Sequence, residues 1–513
     1  MAGSMERVLF FACVCLLVNS AWTEDPPLGV PQQGVLINGQ FPGPTLECQT
    51  NDNLIINVRN SLPDPFLLSW NGLQQRKNSW QNGVSGTNCP IPPGQNFTYR
   101  MQAKDQIGSF FYFPAGGFGA IRIHSRPLIP VPFPSPADEF TVLIGDWYTT
   151  SHKALQDLLD SGKELPSPDG VLINGKRSPD GPDFNVEQGK TYRLRISNVG
   201  LQSTLNFLIQ EHCMTAPVEV EGTHTVQNSY TSVDVHAGQS LCVLFTADRP
   251  ARDYRVVVST RFASATLRST AVIRYAAIVA LPAGPSDDDV DFSLNQARSI
   301  SAARPNPQGS YHYGSINVTR TIRLATSAGP AAGGGKLQYA VNGVSFAEAD
   351  TPLKLADYFN ISGVFRLGGI PDAPPPAATG EVRSETAVMD SDHRSFVEVV
   401  LENGEDCVQS WHLDGHSVFV VGMHVGTWSE QSRDGYNLVD VVSRCTVQVY
   451  PRGWTAVLVA LDNVGMWNMR SEVWARRDLG QQVYLRVHTP TRSPRDELPI
   501  PDNALLCGRA AGR

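Results

Sequence analysis

Residues 34–44 read GVLINGQFPGP, and residues 170–182 read GVLINGKRSPDGP. Each is followed by a polar turn and an alternating segment that ends in asparagine. The first is Asn53-Leu-Ile-Ile-Asn-Val-Arg-Asn60, and the second is Lys190-Thr-Tyr-Arg-Leu-Arg-Ile-Ser-Asn198. A weaker third copy opens with Tyr339-Ala-Val-Asn-Gly343. Its alternating segment comes later, at Ser395-Phe-Val-Glu-Val-Val-Leu-Glu-Asn403. Apolar and polar residues alternating at period two mark half-buried strands. The recurring apolar-Asn-Gly start marks a tight turn that feeds the same strand position each time. The economical reading is an all-β chain made of one β-sandwich repeated three times.

The rest of the chain fits that reading. At 513 residues it is too long for one typical domain. Only 18% of residues are charged, while Gly and Pro number 44 and 37. Such a composition favours strands and turns over helices. Turn-forming stretches near Pro127–Pro136 and around Gly284–Pro307 place the boundaries, giving domains over 24–134, 135–300 and 301–513, the last with a C-terminal tail. Short helices are expected at His152–Ser161, stopped by Gly162, and at Leu353–Phe359. The net charge of −8 gives no footprint for nucleic acid.

The N-terminus has the layout of a secretory signal peptide over residues 1–23. Arg7 precedes an apolar run, Val8–Val18, and small residues follow through Ala21. The run is too short for a bilayer, which needs about 20 residues, and no later segment reads as a transmembrane helix. No hydrophobic tail of the GPI type ends the chain. Export would remove Cys13 and Cys15. Seven cysteines would remain: Cys48, Cys89, Cys213, Cys242, Cys407, Cys445 and Cys507. Their pairing is open from spacing alone, and an odd number leaves one over. Asn96, Asn317 and Asn360 each open an N-glycosylation sequon, as a secreted chain would use.

Four stretches bear on chemistry. They are Leu68-Ser-Trp-Asn-Gly72, Gly108-Ser-Phe-Phe-Tyr-Phe-Pro114, Gln409-Ser-Trp-His-Leu-Asp-Gly-His416 and Trp467-Asn-Met-Arg-Ser-Glu-Val-Trp474. Together with the triple repeat they resemble the four copper-binding segments of multicopper oxidases such as ascorbate oxidase and laccase. The resemblance covers essentially the whole chain after the leader. It implies three cupredoxin-like, Greek-key sandwiches. In active members of that family, histidines and one cysteine in these segments hold a mononuclear electron-entry copper and a trinuclear cluster. Imidazole and thiolate suit that metal.

Carried over position by position, almost every ligand is replaced. The first segment has Ser69 and Asn71 where the family has histidines. In the second, Phe113 stands at the first ligand position and a deletion after Pro114 removes the other. The third keeps only His412, with Gln409 and Asp414 at its companion positions, and His416 matches a residue that does not bind copper. The fourth holds Arg470, Ser471, Glu472, Arg476 and Gln481 where the family has His, Cys, His, a further His and an axial ligand. The resemblance therefore implies no normal oxidase activity and no expected cofactor. Copper at reduced stoichiometry, on His412, is the alternative.

Trp467-Asn468 ahead of the old ligand run, and Ser410-Trp-His-Leu-Asp-Gly415, are similar to the plant skewed-growth (SKU-like) group. The ending Pro499-Ile-Pro-Asp-Asn-Ala-Leu-Leu-Cys-Gly-Arg-Ala510 resembles the pollen-type ascorbate oxidase homologues. That group implies an extracellular, apoplast or cell-wall protein tied to cell expansion or pollen-tube growth. Its partner would be a wall polymer or an extracellular protein. The same resemblance pairs Cys89 with Cys507. It also brings the side chains of Asp414, Arg470 and Glu472 together between domains one and three, where they are expected to form an ion-pair network. Against the group's pattern, the first strand of domain one is expected to be missing, since Leu28-Gly-Val-Pro-Gln32 follows Glu24-Asp-Pro-Pro27 at once. Trp70, Trp80, Trp411 and Trp467 are read as core residues, and the other histidines as scattered without ligand spacing. No Gly-x-Ser-x-Gly elbow marks a hydrolase.

Overall fold

The computed structural model describes residues 11–22, 33–114, 116–275, 293–303, 316–331, 336–375 and 382–513. The Ala115 junction and most of the Gly284–Pro307 linker lie outside the described residues. Six sheets form three two-sheet sandwiches. Their strands run from Phe11 to His124, from Asp138 to Tyr275 and from Arg320 to His488. Each sandwich closes over its own apolar core.

The repeated Ile-Asn-Gly has a mechanical explanation. Asn38, Asn174 and Asn342 sit in the left-handed region, at φ 53°, 49° and 49°, which asparagine tolerates better than most residues. Each clamps the first strand of its sandwich. The amide of Leu17 donates to Asn38 Oδ1 and Asn38 Nδ2 donates to the Cys15 carbonyl, at 2.6 and 2.9 Å. Leu143 and Thr141 hold Asn174 in the same way, and Ala325 and Arg323 hold Asn342. The clamped residues lie parallel to Arg59, Ser197 and Glu402, each one residue before the terminal asparagine of its alternating strand. Those terminal asparagines, Asn60, Asn198 and Asn403, are themselves buried. Each accepts from the backbone two residues on and donates to buried carbonyls. Buried polar groups need such partners, so both asparagines recur with the fold.

Domain one corrects an expectation. It does not lack its first strand. Phe11–Trp22 fills that place, antiparallel to Gln33–Ile37 and parallel to Asn53–Asn60. Leu16 and Val18 enter the core against Ile37, Ile56 and Val58. The physical reason is that an apolar run of this length suits a buried strand as well as a leader. A chain cut after residue 23 would lose this strand.

Helix is sparse. His152–Asp160 is capped by Ser151, whose Oγ accepts from the Ala154 amide, and Leu353–Phe359 forms as expected. Cys89 and Cys507 form the disulfide, with Cα atoms 5.9 Å apart across 418 residues of sequence. Such a long loop closure contributes on the order of 2–4 kcal/mol. Beside it, Trp80 Nε1 donates to the Leu498 carbonyl, and Lys354 lies over the Trp80 ring while pairing with Glu497. The tail is thereby pinned across domains one and three. Cys48, Cys213, Cys242, Cys407 and Cys445 are free thiols. Trp70, Trp80, Trp411 and Trp467 are all buried. Asn96, Asn317 and Asn360 are exposed.

Candidate functional site

The third and fourth motifs form neighbouring antiparallel strands, Gln409–Leu413 and Gly465–Ser471. His412 lies opposite Arg470, and Trp411 opposite Ser471. Side chains on a strand alternate between faces, so the pairing sorts the old ligand positions into two sets. Trp411, Leu413, Trp467 and Met469 point into the core of domain three, and Gln409 and Ser471 share their face. Ser410, His412, Asp414, Arg470 and Glu472 fall on the opposite face, where the three domains meet.

On that outer face the charges pair. Arg470 Nη1 donates to Asp414 Oδ2 at 2.8 Å, and Arg470 Nε lies 3.1 Å from Glu472 Oε1, an ion pair without hydrogen-bond alignment. His412 Nε2 lies 3.1 Å from Asp414 Oδ1, also out of line, while its Nδ1 is 2.8 Å from Thr446 Oγ1. Domain one contributes Asn82, whose Nδ2 donates to Asp414 Oδ2 at 2.8 Å. Domain two contributes backbone: Ser410 Oγ donates to the Ala237 carbonyl, Thr446 Oγ1 to the Gly238 carbonyl. Glu472 packs on Gly238 so closely that a Cβ there would lie 2.5 Å from its Cγ. The network thus joins three domains rather than two.

His412, Asp414 and Arg470 are only 1%, 4% and 3% exposed. Burial alone would raise the Asp414 carboxyl, but Arg470 and His412 more than offset it and hold it below the usual carboxylate range. For Arg470 burial acts downward, and the two carboxylates drive it above its ordinary value. Both groups therefore stay charged. His416 lies beside the network, its Nδ1 3.4 Å from the Asp414 carbonyl and its ring edge-on to Trp467. Burial is the main cause that pushes its imidazole down to about 4.

On the inner face the replacement is neutral. Gln481 Nε2 donates to Gln409 Oε1 at 3.3 Å, and Trp411 Nε1 donates to the same oxygen. Gln409 Nε2 donates to Thr326 and Asn403. Ser471 Oγ accepts from the Val473 amide. Arg476 is engaged elsewhere: it pairs with Glu405, donates to Cys407 Sγ and lies over the Tyr339 ring.

The old ligand positions of domain one are engaged away from the charged group. Ser69 pairs with Phe113 across the sheet and its Oγ donates to the Phe113 carbonyl. Phe113 stacks on Phe118. Asn71 is buried. Asn82, which does reach the site, lies outside all four motifs, in the turn after Trp80. Its position depends on Gly83, at φ 76°, where a Cβ would collide with the Leu68 carbonyl.

These residues do not fit copper. The thiolate position is a hydroxyl, one imidazole position beside it and the axial position are the hydrogen-bonded amides of Gln409 and Gln481, the other imidazole position is Arg476, paired with Glu405, and a second guanidinium sits among the cluster positions. A fixed cation there repels a metal, and its planar fork satisfies the carboxylates. Among the described residues no three His, Cys, Asp or Glu side chains converge as a metal site.

Three multicopper oxidase family patterns match the chain, over residues 19–127, 138–277 and 350–493. An L-ascorbate oxidase homolog of Nicotiana tabacum is 49% identical, covering 99% of this chain and 98% of its own. One from Brassica napus is 53% identical over 96% and 92%. The monocopper oxidase-like protein SKU5 of Arabidopsis thaliana is 48% identical over 94% and 87%. The fold matches that of the laccase from Botrytis aclada with a TM-score of 0.77 at 21% identity, covering 95% of this chain and 90% of the laccase. The strand order, the three matched domains and these full-length relatives agree: the chain belongs to the multicopper oxidase family, within its ascorbate oxidase homologue and SKU5-like branch.

Proposed function

We propose that this protein is a secreted, non-catalytic member of the family. It acts as a scaffold in the cell wall or apoplast, in cell expansion or pollen-tube growth, by binding a wall polymer or an extracellular protein. The observation that carries the non-catalytic reading is the buried Asp414–Arg470–Glu472 network, which offers a guanidinium where a cluster would need a ligand. The wall setting rests on the likeness to the plant skewed-growth group. Asn96, Asn317 and Asn360 are exposed, as glycan acceptors of a secreted chain must be. Trp70, Trp80, Trp411 and Trp467 are buried, so recognition of a polymer falls to other surfaces. Among the described residues no helix is long and apolar enough to cross a membrane.

The test is metal analysis of protein purified from a eukaryotic secretory host and loaded with copper. Substoichiometric copper, no intense blue band and no oxygen uptake with ascorbate or phenols are expected. Stoichiometric blue copper or steady oxygen uptake would refute the reading. One tightly held copper lost on His412→Ala would favour the residual-oxidoreductase alternative.

A further inference from the structure

Domain one reaches domain three through an irregular loop, residues 74–89, whose regular structure is one short turn at Ser79–Gln81. On one side the loop lies against domain three. Arg76 Nη1 pairs with Asp462 at 2.5 Å, and the Lys77 amide donates to Asn463 Oδ1. Asn82 donates to Asp414, and the Gly86 amide to the Tyr484 hydroxyl. On another side it lies under the C-terminal tail. The Leu498 amide donates to the Lys77 carbonyl, Trp80 Nε1 donates to the Leu498 carbonyl, and Ser79 Oγ donates to Glu497. The loop that carries Asn82 to the charged network is thus held between a domain and a strap.

The strap is anchored to domain three at both ends. Arg492 donates to the Asp357 and Tyr358 carbonyls at 2.7 and 2.8 Å, and Arg509 pairs with Asp350 at 2.9 Å. Between these anchors it crosses domain one without forming a strand, and a small cavity lined by Trp80, Cys89, Tyr99, Leu355 and Leu505 lies beneath it. Its covalent stitch to domain one is Cys89–Cys507. That bridge sits in a separate apolar cluster with Trp80, Leu355 and Ala510, outside the three sandwich cores, each of which closes without it. A cross-link inside a core governs whether that core folds. One between domains governs how they sit. Cys89 is buried and Cys507 only half-buried, so the sulfur more open to attack is the one on the strap.

We propose that Cys89–Cys507 is a redox catch on this strap. Closed, it holds the strap on residues 74–89 and thereby holds Asn82 on Asp414. Opened by a dithiol, it frees the middle of the strap and slackens the joint between domains one and three, while the sandwiches stay folded. In the opening step a thiolate of the dithiol attacks Cys507 Sγ, and Cys89 leaves as a thiolate. The second thiol of the reductant then displaces Cys507. Two electrons and two protons pass to the two cysteines, and the reductant is left as a disulfide.

The experiment uses the full chain, purified oxidised from the secretory host and treated while folded with dithiothreitol. Alkylation and mass analysis report the state of the bridge, and hydrogen exchange is followed in three segments. Residues 77–89 and 409–416 should exchange at least about tenfold faster after reduction, while residues 192–198 of domain two should not change. Reoxidation should restore the slow rates. In Asn82→Ala, exchange in 409–416 should already be raised and should not respond to dithiothreitol, since the link it removes is the one the strap acts through. Cys507→Ser should behave as the reduced protein; should that variant fail to fold, reduction of the unaltered chain still decides. A bridge that resists dithiothreitol, or yields only as domain two unfolds with it, overturns the catch. So does reduction without faster exchange in 77–89 and 409–416, or a response in 409–416 that survives Asn82→Ala.

Discussion

The strand Gln409–Leu413 has two faces built from alternate residues, and they reached opposite solutions to the same loss. The outer face, with His412 and then Asp414 just beyond the strand, carries full charges. The inner face, with Gln409 opposite Gln481, carries neutral amides. The difference follows from what surrounds each. Burying an ion costs several kcal/mol unless partners complete its shell. At the meeting of three domains, Asn82, the backbone of Ala237 and Gly238, and Thr446 supply polar partners. Inside the domain-three sandwich the neighbours are Trp411, Leu413 and Trp467, and neutral amides, one donating to the other, are a cheaper filling than ions even though Gln481 Oε1 is left without a partner. A charged network also holds its partners in one arrangement, which suits a joint between domains more than a core.

The largest effect should come from removing the cation. Arg470→Met leaves Asp414 and Glu472 buried without their partner. A loss of about 3–5 kcal/mol is expected by denaturant melting. Replacing Asp414 and Glu472 by Leu as well should recover much of it. If the triple variant is no better than the single, the network is not a closed unit and the contrast between the faces fails.

Acid should divide the faces next. Asp414 is held below its ordinary value, so the stability it contributes is present above about pH 4 and is lost only as pH falls further. His416, pushed down to about 4, and His236, buried in domain two with its Nδ1 2.9 Å from Thr204 Oγ1 and pushed down to about 3 chiefly by burial, behave differently. Each stays neutral when folded but takes a proton when unfolded, so stability falls as pH drops below about 6.5. The loss should be about 2 kcal/mol for each by about pH 5. Melting followed from pH 7 to 5 should show this slope, and His416→Gln should remove about half of it. A flat profile would mean that the imidazoles open to solvent.

A smaller effect tests the joint. Asn82→Ala removes one hydrogen bond to a buried carboxylate, worth about 2 kcal/mol. Hydrogen exchange should rise where domains one and three touch. Unchanged stability would show that Asp414 needs only Arg470 and His412.

Much of this is legible in the sequence. The Ile-Asn-Gly repeat and the asparagines ending the alternating strands announced three sandwiches, although their clamping role was not visible in the letters. Asp414, Arg470 and Glu472 could be placed together because the third and fourth segments resemble the family's ligand segments, whose positions converge. Asn82 was not legible: it lies in a turn, and only the close passage of Gly83 over Leu68 carries it to the site. The share of domain two was hidden for a related reason, since Ala237 and Gly238 contribute backbone and leave no side-chain signal. Phe11–Trp22 is ambiguous in the sequence because a leader's apolar core and a buried strand have the same composition.

The smallest effect tests the neutral face. Gln481 is fully buried, and its Nε2 donates to Gln409 Oε1. Gln481→Leu removes that donor, but Gln409 Oε1 keeps the indole N–H of Trp411 and its amide keeps Thr326 and Asn403. No partner is left unsatisfied, and the leucine adds apolar contact in a core that accepts it. The expected loss is about 1 kcal/mol or less by denaturant melting, several times smaller than for Arg470→Met. A cost as large as that of the charged face would show that the amides form a network as demanding as the ions. The contrast would then lie in location and not in chemistry.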